Sequence, residues 1–266
     1  MRSWQAGADR LMQSLIDFLG QDQVVVFLLL FARVSGLFAF FPFFSHMSIP
    51  ISIKSALAVF MVFFLYPLAT VPNIEITASS VALAIVSELF MGFIAGLILN
   101  LVFAMLQMAG MQISFVMGFT MASTIDPQSH ISTPLMSNIF SLFGLLVLLA
   151  FNVHHMMILF LVKSLGVLPF GEFYPGGNIW EYLVKAMGSV FVYGFILSFP
   201  IVGLSLLADL VFGMLMKTMP QFNLLVVGFP IKIMVGFIVL VAVLSSIMMV
   251  FKREFLEALN YLSTII

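Results

Sequence analysis

Arg33, Lys54, Glu88, Asp209, Lys217 and Lys232 all lie in or beside long apolar runs. A lone charge at the centre of a bilayer costs at least about 2.5–3.5 kcal/mol. These six side chains must therefore face protein or a water-filled space, and they are expected in pairs. Asp209 and Lys217 stand eight residues apart, two turns along roughly one helix face, and Lys232 returns on the next helix within reach of either. A proton or ion relay would use such groups, and so would ion pairs that fix the register of packed helices. Carboxylates are too sparse for a convincing relay, which favours the pairs. Lys54, in the first turns of its helix, opposes the helix dipole and calls for a carboxylate or carbonyl partner.

The remaining candidates for chemistry are weaker. His154 and His155 are adjacent, so on a helix they point about 100° apart and cannot chelate one ion together. They read as packing or helix-end residues. There is no Gly-x-x-x-x-Gly-Lys phosphate loop, no His-Glu-x-x-His and no nucleophile elbow. Cysteine is absent, which removes disulfides and Cys-based metal or redox centres. No enzyme, metal or cofactor is expected.

Composition narrows the class further. Of 266 residues, 63% are hydrophobic and only 8% charged, against roughly a quarter charged in soluble domains. A soluble globular protein is excluded. Ten Lys and Arg against eleven Asp and Glu offer nucleic acid no basic patch. The first 23 residues carry Asp9, Asp17 and Asp22 and do not read as a cleavable signal. Residues 8–20 have the spacing of a short amphipathic helix.

The elements that must position these charges are long apolar helices, about six of them arranged in hairpins, which makes an all-α membrane protein. The patterning predicts helices over 24–44 (ended by Pro42), 51–68, 78–108, 135–168 with a kink near Asn152, 179–217 with a bend at Pro200, and 230–250. The tail, residues 251–266, reads as a helical continuation. Gly92 and Gly96, four apart in the third helix, invite a second backbone to approach closely. The Pro/Gly-rich connection around 169–178 is the best boundary between two subregions. Lys and Arg are scattered too evenly to fix the membrane orientation.

One stretch breaks the apolar pattern. Residues 107–134 are rich in small residues, Met, Phe, hydroxyls and amides. Irregular backbone at membrane depth is tolerated only when buried in protein or lining a cavity. A constriction or plug in a membrane conduit fits, and so does a re-entrant turn that merely packs two hairpins together. Phe115, Met117, Phe119 and Met121 alternate, so an extended segment would send all four to one side. Gly110 and Gly118 would let the backbone move. Between the last two helices, Pro220, Gln221 and Asn223, followed by Gly228, Pro230 and Lys232, suggest irregular backbone that needs partners, hence an assembly surface.

The segment from Pro220 to Lys232, PQFNLLVVGFPIK, resembles the signature of the FliR/SctT-like family of type III secretion export-gate components. The resemblance continues in order through Phe31-x-Arg33-x-x-Gly36, Pro42, Ile49-Pro50, Glu88-x-x-x-Gly92-x-x-x-Gly96, Ala109-Gly110, Gly118, Asp126-Pro127, Asn152-x-His154-His155, Ser164, Pro200, Asp209 and Gly213. Phe222 and Leu224-Leu225 vary the surroundings of Asn223.

The resemblance implies a subunit of a helical gate in the bacterial inner membrane and flagellar basal body, working with FliP-like and FliQ-like subunits and a FlhB-like one. Unfolded proteins would pass through that gate. It further implies a FliP-like region over 24–178, containing a plug at 107–134, and a FliQ-like hairpin over 179–250. An amphipathic segment (1–23) and a helical tail (251–266) would flank them. It also implies that the gate is lifted out of the lipid plane. A polytopic secondary transporter using Glu88 and Asp209 is the alternative.

Overall fold

The computed structural model describes residues 21–45, 50–71, 77–119, 134–219 and 224–265. The predicted amphipathic helix over 8–20 lies outside them. Among the described residues all regular structure is helical. The long helices are α1 (Gln21–Phe40), α2 (Ile51–Leu65), α3 (Ala78–Val116), α4 (Leu135–Ala150), α5 (Val153–Val167), α6 (Gly177–Thr218) and α7 (Phe229–Ile265). Short turns of helix follow α1 at Pro42–Ser45 and α2 at Tyr66–Leu68, and a π-helical turn, Leu224–Gly228, precedes α7. Among the described residues, five helices are long and apolar enough to cross a membrane, and the broken pair α4–α5 would make a sixth span.

Two stretches differ from their sequence expectation. α3 continues eight residues past the expected Met108, to Val116, so the first part of the supposed irregular stretch is helical. Nothing in Gln107–Val116 breaks a helix except Gly110, whose cost of about 1 kcal/mol a packed helix absorbs. α7 runs on through the tail to Ile265, the helical continuation expected there. The kink expected near Asn152 is a complete break: Asn152 adopts a left-handed φ of 54° between α4 and α5. Its N–H and that of Phe151 donate back to the carbonyls of Leu149 and Val147. Asn tolerates this conformation better than other non-glycine residues. α6 continues through Pro200, although proline removes one backbone donor.

The chain divides into two compact units that are discontinuous in sequence. The first combines residues 1–97, 155–177 and 262–266. In it α2 lies on α1 through Ala58, Val62 and Leu65, and α1 meets the first half of α3. A Cβ on Gly92 would lie 2.2 Å from the Arg33 carbonyl oxygen, and one on Gly96 2.8 Å from that of Leu37. Gly36 answers from α1, where a Cβ would meet the Leu89 carbonyl at 2.6 Å. The small-residue spacing thus does what it promised, and its partner is α1.

The second unit combines residues 98–154 and 178–261, with the second half of α3 at its centre. Against that half-helix pack α4, through Gly144 on Leu106 and Phe103, and α6, through Gly194 on Met108. α7 packs on it through Phe251, whose ring meets Phe103 edge-on at 6.0 Å. Short polar bridges fix the register: Ser198 donates to Gln112 at 2.6 Å, and the Met136 N–H donates to the Ser114 hydroxyl at 2.9 Å.

Candidate functional site

In the first unit Arg33 and Glu88 are both fully buried and pair directly, Arg33 Nε donating to Glu88 Oε2. The pair is the hub of a larger network. Arg33 also donates to the Ser164 hydroxyl (3.1 Å) and the Leu168 carbonyl (3.3 Å), and its guanidinium lies 4.9 Å from the Phe170 ring centre. The second Glu88 oxygen accepts the Gly171 N–H at 2.8 Å. Gly171 has φ +83°, and a Cβ there would press on Ala84, so glycine lets this N–H reach the carboxylate. One ion pair therefore ties α1, α3, α5 and the turn after α5 together. Sequence reasoning placed Arg33 and Glu88 among the internal charges without pairing them. It missed Phe170 and Gly171 as their neighbours, because that turn is joined to the pair only by folding.

The other charges are arranged differently. Asp209 pairs with Lys232, whose Nζ sits 2.7 Å from both carboxylate oxygens. Lys232 is nearly buried, whereas the Asp209 side chain is 51% exposed. Within this chain neither Asp209 nor Lys217, exposed at the end of α6, is buried. Nine residues from the C-terminus of α6, Asp209 lies on a face that the chain leaves uncovered. Lys54 is half-buried in the first turn of α2 and forms no ion pair among the described residues.

The predicted plug residues also separate. Gly110 is helical, and a Cβ there would lie 2.5 Å from the Ser137 Cα, so it is a close-packing point between α3 and α4 and not a hinge. Phe115 is 71% exposed while Met117 is fully buried. The four alternating residues therefore do not share one face, because α3 stays helical to Val116 and a turn follows. In that turn Gly118 takes φ +84°. Met117 lies against α7, where a Cβ on Gly236 would be 2.7 Å from its terminal methyl. Gly118 lies against the Phe229 ring, and Phe119 meets Phe237 edge-on at 6.1 Å. The end of α3 is thus latched to the first turns of α7 by three successive residues.

Met121, Pro220, Gln221 and Asn223 lie outside the described residues. Gly228 is buried in the π-helical turn, and Pro230 is exposed in the first turn of α7, where its missing N–H costs no helical bond. None of this geometry brings a nucleophile, a general base and a binding cleft together. Among the described residues no His, Asp and Glu cluster could hold a metal ion.

Residues 24–258 match the bacterial export proteins, family 1. The chain belongs to this family. An export protein needs long membrane helices held in register, which is what the buried Arg33–Glu88 pair provides. Among curated relatives, the flagellar biosynthetic protein FliR of Bacillus subtilis is 33% identical over 238 residues, 88% of this chain and 92% of the relative. FliR of Escherichia coli is 30% identical over 88% of this chain and 90% of its own. FliR of Caulobacter vibrioides is 30% identical over 90% and 96%.

Proposed function

We propose that this export-family protein is a subunit of the flagellar type III export gate in the bacterial inner membrane. It forms, with FliP-like and FliQ-like subunits and beside a FlhB-like one, a gated conduit for unfolded proteins. The names of its relatives favour the flagellar over the virulence system. In this reading residues 24–178 act as a FliP-like region, and the α6–α7 hairpin within 179–250 acts as a FliQ-like assembly element around Gly228, Pro230 and Lys232. Such a gate performs no chemistry on its cargo. It passes a polypeptide while holding back ions, a task suited to Met and Phe, which seal without hydrogen-bonding to what passes.

The observation that carries this reading is the end of α3. Met117, Gly118 and Phe119 are held on Gly236, Phe229 and Phe237 just where the chain enters the Met- and hydroxyl-rich stretch that follows. A seal needs a root that is firm when closed and releasable without breaking covalent or ionic bonds. Apolar contacts with a glycine and two rings satisfy both conditions. The transporter alternative is disfavoured at Glu88, which is itself fully buried and has both oxygens taken up by Arg33 and the Gly171 N–H.

Conductance of the purified complex in planar bilayers tests the seal. Gly236→Val pushes the Met117 side chain off α7, and Gly118→Asp puts a charge against Phe229 at a backbone angle that disfavours it. Both variants are expected to assemble and to conduct ions well above wild type. Assembled variants that stay as tight as wild type would show that this latch is packing only.

A further inference from the structure

The Asp209–Lys232 pair is neutral as a whole, but only its anionic member reaches the surface. On its side of α6, Leu206, Gly213 and Met216, three residues before it and four and seven after it, are all exposed. An aqueous lumen would be walled by more polar side chains than these, and lipid would leave a half-exposed carboxylate in hydrocarbon. A carboxylate has about four acceptor positions, and the single Lys232 ammonium cannot fill them. Asp209 thus presents unused acceptor capacity at the centre of an apolar face, about 13 Å from the end of α6 at the helical rise per residue.

We propose that this face receives an apolar helix of a neighbouring subunit that carries a basic side chain, ammonium or guanidinium, directed at the outer edge of the Asp209 carboxylate. Lys232 then holds the carboxylate oriented from within, and the partner's cation completes its coordination from outside. Leu206, Met216 and the bare backbone at Gly213 supply the contact area, and the carboxylate supplies the register. This rests on the reading of the α6–α7 hairpin as an assembly element and specifies which face and which chemistry it uses.

The test uses the full chain in cells that make the export apparatus, scoring chain accumulation and recovery of the other subunits separately. Asp209→Leu orphans Lys232 and is expected to lower both. Asp209→Leu combined with Lys232→Met removes the internal pair without leaving a buried charge. It should restore accumulation to near wild type while partner recovery stays about 3- to 30-fold down, the range of a polar contact between membrane helices. Full recovery of partners by the double variant overturns the proposal, because the pair would then serve only this chain. Since the chain has no cysteine, Leu206→Cys gives a second reading. In the assembled complex it should resist a membrane-impermeant maleimide and react once the complex is dissociated. Equal labelling in both states means that water covers the face, which also overturns the proposal. If wild type itself recovers no partner subunits, the assembly reading fails, an outcome distinct from the other two.

Discussion

At Arg33, burial and charge are reconciled by surrounding the guanidinium with a carboxylate, a hydroxyl, a carbonyl and an aromatic face. Such a pair contributes more to the definition of one packing arrangement than to net stability, since an apolar replacement of the same shape is often equally stable. Removing one member is different. Glu88→Leu should destabilise the chain by about 3–5 kcal/mol by leaving an uncompensated guanidinium, measured as unfolding in mixed detergent micelles. Adding Arg33→Met should recover only part of this, because the Gly171 N–H and the Leu168 carbonyl still lose their partners. Complete recovery would show that the pair stands alone and that the network around it carries no energy. Asn152 makes a second residue-scale case. Asn152→Gly should be tolerated at its left-handed φ, whereas Asn152→Val should cost about 1–2 kcal/mol. Equal stability of the two would mean that the break does not depend on this angle.

Between elements, the decisive contacts are those in which a side chain is missing. Gly36, Gly92 and Gly96 bring α1 and α3 into backbone contact, and Gly110 and Gly194 admit α4 and α6 to the second half of α3. A Cβ at Gly92 would overlap a carbonyl oxygen of the facing backbone, which cannot rotate away as a side chain could. Gly92→Val should therefore cost at least the roughly 1–3 kcal/mol of an overpacked core and displace Arg33 from Glu88 as α1 moves off. Gly166→Val in α5 is the control, because a Cβ there meets nothing within 4 Å. Comparable losses in the two would show that helix propensity, not close approach, is being measured.

At the scale of the whole molecule, much of α2, α6 and α7 is left uncovered by the chain itself, with Phe60, Phe63, Phe191, Phe199, Leu207 and Val241 all exposed. For a bilayer protein such surface is ordinary when lipid covers it. A half-exposed carboxylate within it is not. In the export-gate reading, conduction and assembly are separable: the Met117–Phe119 latch governs tightness, and the Asp209 face governs recovery of partners. Gly236→Val should raise conductance without lowering partner recovery, and the double Asp209 and Lys232 variant should do the reverse. A single variant that moved both readouts together would indicate one coupled structure instead of two devices.

Composition and period by themselves determined the membrane class and a fold of long apolar helices, because those depend on local apolar content. They also pointed to a kink at Asn152 and to close approach at Gly92 and Gly96, whereas the close packing of Gly110 on α4, at a residue they read as a point of movement, came only with the fold. What only the tertiary structure decided was pairing and direction. Asp209 had two lysines within reach, and Lys232 takes it because α7 returns alongside α6 there. The alternation of Phe115, Met117 and Phe119 suggested one shared face. The helix instead runs on to Val116, leaving Phe115 outward and Met117 against Gly236. Side-chain period tells which residues share a face only once the backbone conformation is known, and at the end of α3 that conformation is set by what it packs against, α4 and α7, elements distant in sequence.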